Sequence, residues 1–177
     1  GAWTRLANAD PVPSNSGYSI NYFAPQTLSF EGTLFNGDQT IGSLSYSAAA
    51  PGYGAGWHLL GNPFTAALYL NSSSWAMTNV DAFAYVWDGS NYLVGPAVPA
   101  DANGYTYGTL PGNLVPAMQG FFVHAAADNA SLTIPAVART HSAQAFYKSH
   151  DAAKDALFLT IDGNGYQDKA IVAFNPA

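Results

Sequence analysis

Cysteine is absent from the 177 residues, which removes disulfides, thiolate nucleophiles and cysteine-based zinc or iron sites together and leaves the redox compartment open. Charge is nearly as scarce. Asp, Glu, Lys and Arg make up 9% of the chain, against about 25% in an ordinary soluble domain. The five basic residues stand singly at Arg5, Arg139, Lys148, Lys154 and Lys169, so no basic stripe exists to neutralise phosphates, and nucleic acid is not an expected partner. No apolar run approaches the roughly 20 residues of a membrane helix, and no basic-then-apolar leader opens the chain, so membrane insertion is not expected either. Glutamate occurs once, at Glu31. A glycosidase generally needs two carboxylates about 5 to 10 Å apart, whereas the aspartates lie mostly beside Gly, Pro, Asn or Ala, where aspartate caps turns. His58, His124, His141 and His150 show no paired ligand spacing such as HExxH, and no serine sits in GxSxG. The expectation is a non-catalytic chain that requires no cofactor.

What the chain has in quantity is aromatic: 14% Phe, Trp and Tyr, set among 17 glycines and 11 prolines. Disorder would need far fewer aromatic and β-branched residues. A surface kept wet by hydroxyl and amide groups rather than by charge points to an extracellular β-protein. A chain of this length buries roughly 70% of its unfolded surface in one core, so residues 1–177 are expected to form a single β-rich domain, with a small C-terminal sub-unit at 150–177 as a further division.

Alternation places the strands. Tyr18, Ile20 and Tyr22 face one way and Ser19 and Asn21 the other; Leu28 to Leu34 alternates again, and Asn36-Gly37-Asp38 turns into Thr40 to Tyr46. Trp57 to Leu60 reads as a buried strand stopped at Gly61-Asn62-Pro63. Ala66 to Leu70 is ambiguous and is read as a short helical turn, followed by an Asn71 to Ser74 loop. Val80 to Trp87 alternates and returns through Asp88-Gly89-Ser90-Asn91 into Tyr92-Leu93-Val94 as a hairpin. Leu114 to Pro135 contains a β-rich run, Phe121 to His124, a small-residue turn, and Leu132-Thr133-Ile134, and is read as another hairpin. A last hairpin joins Leu157–Ile161 to Lys169–Phe174. Gly17-Tyr18 to Leu28 and Gly120-Phe121 to Leu132 have nearly equal spacing, which suggests a pseudo-repeat of 1–47 and 92–135. The predicted class is all-β: an antiparallel β-sandwich or jelly-roll-like fold, with two related halves as one form of it.

Gly56-Trp57-His58-Leu59-Leu60-Gly61-Asn62-Pro63-Phe64, Val86-Trp87-Asp88-Gly89, Pro116-Ala117-Met118-Gln119-Gly120-Phe121-Phe122-Val123 and Leu132-Thr133-Ile134-Pro135 follow one another in a recognisable order. Arg139-Thr140-His141-Ser142, Phe146-Tyr147-Lys148 and Gly163-Asn164-Gly165-Tyr166-Gln167-Asp168 to Phe174-Asn175 continue it. Over nearly its whole length the chain resembles the non-catalytic β-rich regions that precede the C-terminal sorting domain of Bacteroidetes proteins exported by the type IX system. The resemblance implies a secreted or cell-surface setting and names no ligand. The ends, Gly1-Ala2 and Phe174-Asn175-Pro176-Ala177, read like those of a piece excised from something longer.

Two kinds of site are expected. Sugar rings stack through their C–H patches on exposed aromatic faces, with amides and carboxylates binding the hydroxyls; Trp75, Trp87, Tyr92, Tyr105 and Tyr107 with Asn91 and Asn103 are the candidates. Trp75, Tyr53, Tyr105 and Tyr107 fall in polar stretches and are expected at the surface, whereas Trp57 and Phe121 are expected in the core. Asp162, Asn164 and Asp168 give oxygens at the first, third and seventh positions of a loop and are the candidate ligands of a structural calcium. The closing glutamate of a calcium-binding hand is missing, so a plain hairpin turn is preferred there. The expected partner is an extracellular glycan or surface protein, and the expected function an adhesion or glycan-binding module of a larger secreted protein. The alternative is a self-assembling subunit of a filament or surface layer, joined to its own copies by strand exchange, because a charge-poor chain has few lysines to guard its sheet edges.

Overall fold

In the computed structural model the described residues are 5–7, 10–13, 15–20, 31–47, 55–97 and 108–147, together with the strand backbones at 156–163 and 166–173. Short alternating runs separated by Gly, Pro, Asn and Asp can close ladders but cannot sustain a helix. The described residues accordingly hold twelve strands and two 3-10 turns, at Pro111–Asn113 and Ala136–Ala138. In chain order the strands are β1 (Gln39–Leu44), β2 (Trp57–Gly61), β3 (Ala67–Tyr69), β4 (Ala76–Thr78), β5 (Phe83–Trp87) and β6 (Tyr92–Pro96). There follow β7 (Leu114–Val115), β8 (Gly120–His124), β9 (Ala130–Ile134), β10 (Arg139–Thr140), β11 (Ala156–Gly163) and β12 (Tyr166–Ala173). They form a four-stranded sheet in the order β2-β8-β5-β6, two three-stranded sheets, β1-β9-β4 and β10-β3-β7, and the ribbon β11-β12. Every pairing is antiparallel. The fold is all-β and sandwich-like. Among the described residues no helix is long and apolar enough to cross a membrane.

The four-stranded sheet and both three-stranded sheets supply one core, centred on Phe64, Leu68, Val86, Phe121, Leu132 and Ile134, each at most 2% exposed. Removing side chains of this size from water contributes about 1.5–3 kcal/mol each. The contribution of β1 depends on an irregularity. Ile41 pairs with Leu132 but Leu44 with Ala130, so β1 carries one residue more than its partner, with Ser43 at φ 56°. Side chains three apart in a regular strand face opposite ways; the bulge turns both Ile41 and Leu44 inward.

Asn62 anchors the end of β2. Its Nδ2 donates to the carbonyls of Ala66 and Pro116, each at 2.9 Å, and its Oδ1 accepts from the Phe64 N–H at 3.0 Å. Three satisfied bonds explain a buried amide, 4% exposed, beside the core.

Several expectations need correction. Leu114 to Pro135 is not a hairpin, since β8 belongs to the four-stranded sheet and β9 to a different one. Phe121 and Val123 of β8, and Leu132 and Ile134 of β9, are all buried in the same cluster, and strands in two layers bring both sets to one core where a hairpin would place them in a single layer. The chain crosses between layers at Ala125 and Ala130, both fully buried; Ala126 N–H donates to the Asn79 carbonyl, and Asn129 adopts φ 57°. Ala66 to Leu70 is not a helical turn, because its middle is β3, hydrogen-bonded on both sides by β10 and β7. Residues 17–20 lie outside any strand. Contact there is made by Ser16, bridged to Leu60, and by Gly17, whose N–H donates to the Leu59 carbonyl at 3.0 Å along the edge of β2. Residues 31–34, read as the end of the strand from Leu28, take part in no ladder among the described residues, and residues 21–30 lie outside them. The hairpins β5-β6 and β11-β12 are as the sequence predicts.

Candidate functional site

Strand β5 carries two interleaved sets. Ala84 and Val86 are buried, whereas Phe83 and Trp87 are exposed and Tyr85 is half-buried. Small aliphatic residues thus face the core and the large aromatic ones face out, the reverse of the usual polar exterior of a half-solvated sheet.

The neighbouring strands repeat this choice. Phe122 stands opposite Tyr85, Trp57 opposite His124, Leu59 opposite Phe122, and Tyr92 opposite Trp87. Cross-strand partners share a face, so one outer surface carries Trp57, Phe83, Tyr85, Trp87, Tyr92 and Phe122. Trp57 is 41% exposed, Phe83 39%, Trp87 36% and Tyr92 53%. The rings touch in pairs: Trp57 with Tyr85 at 5.0 Å between centroids, Trp87 with Tyr92 at 4.9 Å, and Tyr92 with Phe122 at 5.7 Å. Interplanar angles of 57° to 84° make these edge-on or tilted contacts, each worth about 0.5–1.5 kcal/mol, so the face is self-supporting while keeping large ring areas in solvent.

A carboxylate stands at each end of the face. At one end His124 Nδ1–H donates to Asp81 Oδ2 at 2.7 Å, and the imidazole lies 5.0 Å from the Trp57 ring and edge-on to Tyr46 at 6.3 Å. Burial, and then the nearby Asp81 charge, raise the pKa of the Tyr85 phenol. Gly56 makes this approach possible. It sits at φ +70° with the space of its missing Cβ taken by the Ala125 carbonyl and His124 Nε2. At the other end Asp88 Oδ1 accepts from the Ser90 and Asn91 N–H groups, each at 2.7 Å. Those two bonds, Asn91 first, hold the Asp88 carboxyl below its ordinary value. Asp88 therefore builds the β5-β6 turn, and Asn91 is exposed at its tip.

Of the residues expected to bind ligand, the structure brings Trp87, Tyr92 and Asn91 together at this end. Trp75 does not join them. Expected at the surface, it is 8% exposed, packed in the core, with its indole N–H donating to the Tyr69 carbonyl; the polar stretch around it merely leads the ring inward. Trp57, expected in the core, is on the outer face instead, because Leu60 and not Trp57 has the inward parity of β2. Tyr53, Asn103, Tyr105 and Tyr107 lie outside the described residues. So does Asn164, while Asp162 and Asp168 fall on neighbouring rungs of the β11-β12 ladder, opposite Gln167 and Ile161. Among the described residues no group of three His, Asp or Glu is close enough to hold a metal ion. Phe83, Tyr85 and Phe122, which the sequence reading passed over, complete the surface; the one signal for them was that the second set of each alternating strand is also apolar.

Compared with protein-family profiles, with characterised proteins and with solved structures, the chain matches none.

Proposed function

We propose that this chain is a non-catalytic binding module of a secreted or cell-surface bacterial protein, of the kind it resembles in sequence, and that it takes extracellular carbohydrate on the outer face of the four-stranded sheet. The carrying observation is the set of solvent-facing rings, Trp57, Phe83, Trp87 and Tyr92, gathered on one surface. Pyranose rings present apolar C–H patches to such rings and hydroxyls to the polar groups around them, and the placing of Asp81, His124 and Asn91 at the ends of the face suits that division. A chain with so few cations suits a neutral ligand better than an anionic one.

The test is a printed glycan array, followed by calorimetry on the glycan retained best. Loss of one exposed ring, in W57A or W87A, is expected to remove about 1–2 kcal/mol of stacking, about 5- to 30-fold in Kd. A folded chain that retains no glycan above background refutes the reading.

One observation supports a second reading, self-assembly. Residues 31–36 stand outside every ladder among the described residues, with Leu34 74% and Phe35 40% exposed, and such a segment suits addition to the sheet edge of another copy. Light scattering across concentration separates the two: a monomer at high concentration removes this reading and leaves the first.

A further inference from the structure

Stacking alone reads only the apolar face of a sugar. Epimers that differ in one hydroxyl are told apart by hydrogen bonds from side chains held in place before the ligand arrives. On the aromatic face such groups exist at the Trp57 end. Asp81 is half-exposed, and His124 fixes its carboxylate through the 2.7 Å bond between Nδ1–H and Oδ2. His124 is itself confined, lying 5.0 Å from the Trp57 ring, edge-on to Tyr46, and close to the Cβ-free Gly56. Asp81 is pinned through its backbone too: its N–H donates to the His124 carbonyl at 2.9 Å, and its carbonyl accepts from Phe83 N–H at 2.8 Å. At the opposite end Asp88 gives Oδ1 to two backbone N–H groups of its own turn, so its carboxylate is set by the turn and not by a side chain of the neighbouring strand β8.

We infer that Trp57, Tyr85, His124 and Asp81 form a terminal sugar subsite, in which the Trp57 ring stacks one pyranose and the Asp81 carboxylate accepts hydrogen bonds from that sugar's hydroxyls. The inference rests on the carbohydrate reading above and adds where along the face the sugar's identity is read. O–H···O⁻ bonds are short and about twice as strong as neutral ones, which gives Asp81 the leverage to discriminate. His124 is a positioning residue: it aims the carboxylate and need not touch the ligand. Trp87 and Tyr92 at the far end contribute contact area that tolerates many sugars.

The experiment compares D81N, H124Q, W57A and W87A with the unaltered chain on one printed array of gluco-, manno-, galacto- and amino-sugar glycans, at 50 and 500 mM NaCl, with thermal melting to show that each variant is folded. D81N is expected to lose about tenfold in affinity for the preferred glycan and to flatten the ranking among epimers. W87A is expected to weaken all bound glycans alike and keep the ranking, and salt should matter little. H124Q should flatten the ranking in the same sense as D81N, an effect that a purely structural role would not produce. If D81N ranks and binds glycans as the unaltered chain does while W87A loses affinity, the face binds sugar and the subsite is wrong. Loss confined to high salt would show that Asp81 meets an ammonium or another cation, and overturns the inference as well. If none of the variants changes binding, both the subsite and the aromatic face fall together.

Discussion

Replacing Asn62 by Asp changes one NH₂ to an oxygen and leaves the shape intact, so its consequences follow from hydrogen bonding alone. Both Nδ2 protons are committed, to the Ala66 and Pro116 carbonyls at 2.9 Å. An ionised Asp at this site would set a negative oxygen against two carbonyl oxygens, beside a backbone whose own N–H is bound to the Gln119 carbonyl. Two lost bonds at about 0.5–1.5 kcal/mol each, with a buried acceptor left unpaired at about 1–3 kcal/mol, give a deficit of about 3 kcal/mol at neutral pH. For a chain of this size that lowers Tm by roughly 6–12 °C. Protonation returns one donor, so the folded state raises the pKa of the new carboxyl above its unfolded value of about 3.9. The deficit is therefore smallest below about pH 4. It widens by about 1.4 kcal/mol per pH unit above that, until pH passes the raised folded value, and is constant beyond. Urea unfolding of both proteins from pH 3 to 8 measures it. A deficit below about 1 kcal/mol at pH 7, or one that does not change with pH, refutes the bonding assigned to Asn62.

Trp75→Ala removes a ring that fills the core and should cost about 3–5 kcal/mol, whereas Trp57→Ala and Trp87→Ala should each cost less than half as much; urea midpoints rank the three. Gly56→Ala forces a Cβ against the Ala125 carbonyl at φ +70° and should cost about 1–3 kcal/mol, seen as a lowered Tm. Tyr85 and Tyr147 have phenol pKa values raised by burial, Tyr85 by the Asp81 charge in addition. Absorbance at alkaline pH should therefore show these two phenols ionising above the ordinary tyrosine value. Their folded values lie above their unfolded ones, so the stability they contribute is complete below about pH 10 and is lost as pH rises through the folded values.

How much of this was legible in the sequence depended on whether a property is local. The β5-β6 and β11-β12 hairpins were, because turn residues and alternation sit next to each other in the chain. The crossing between β8 and β9 was not. Phe121 to Ile134 has the composition of a hairpin, and only the position of the shared core decides whether two adjacent strands pair or part. Face choice was equally hidden. In β5 both Ala84-Val86 and Phe83-Tyr85-Trp87 are apolar, so periodicity separates the two sets without saying which turns inward. The same blindness placed Trp57 inside and Trp75 outside. Trp87, Tyr92 and Asn91 were legible as neighbours because they flank a turn that fixes its own geometry. Trp57, Phe122 and Tyr85 were not, since only the register of β2, β8 and β5 brings them together.

The most direct test of the central claim is titration of the glycan retained best on the array into the unaltered chain and into the double variant W57A/W87A, each first shown to be folded by its melting transition. Saturable binding by the unaltered chain is expected, with a loss of about 30-fold or more in the double variant and Trp fluorescence changing on binding only in the unaltered chain. Equal binding by the two proteins, or no saturable binding by either, would contradict it.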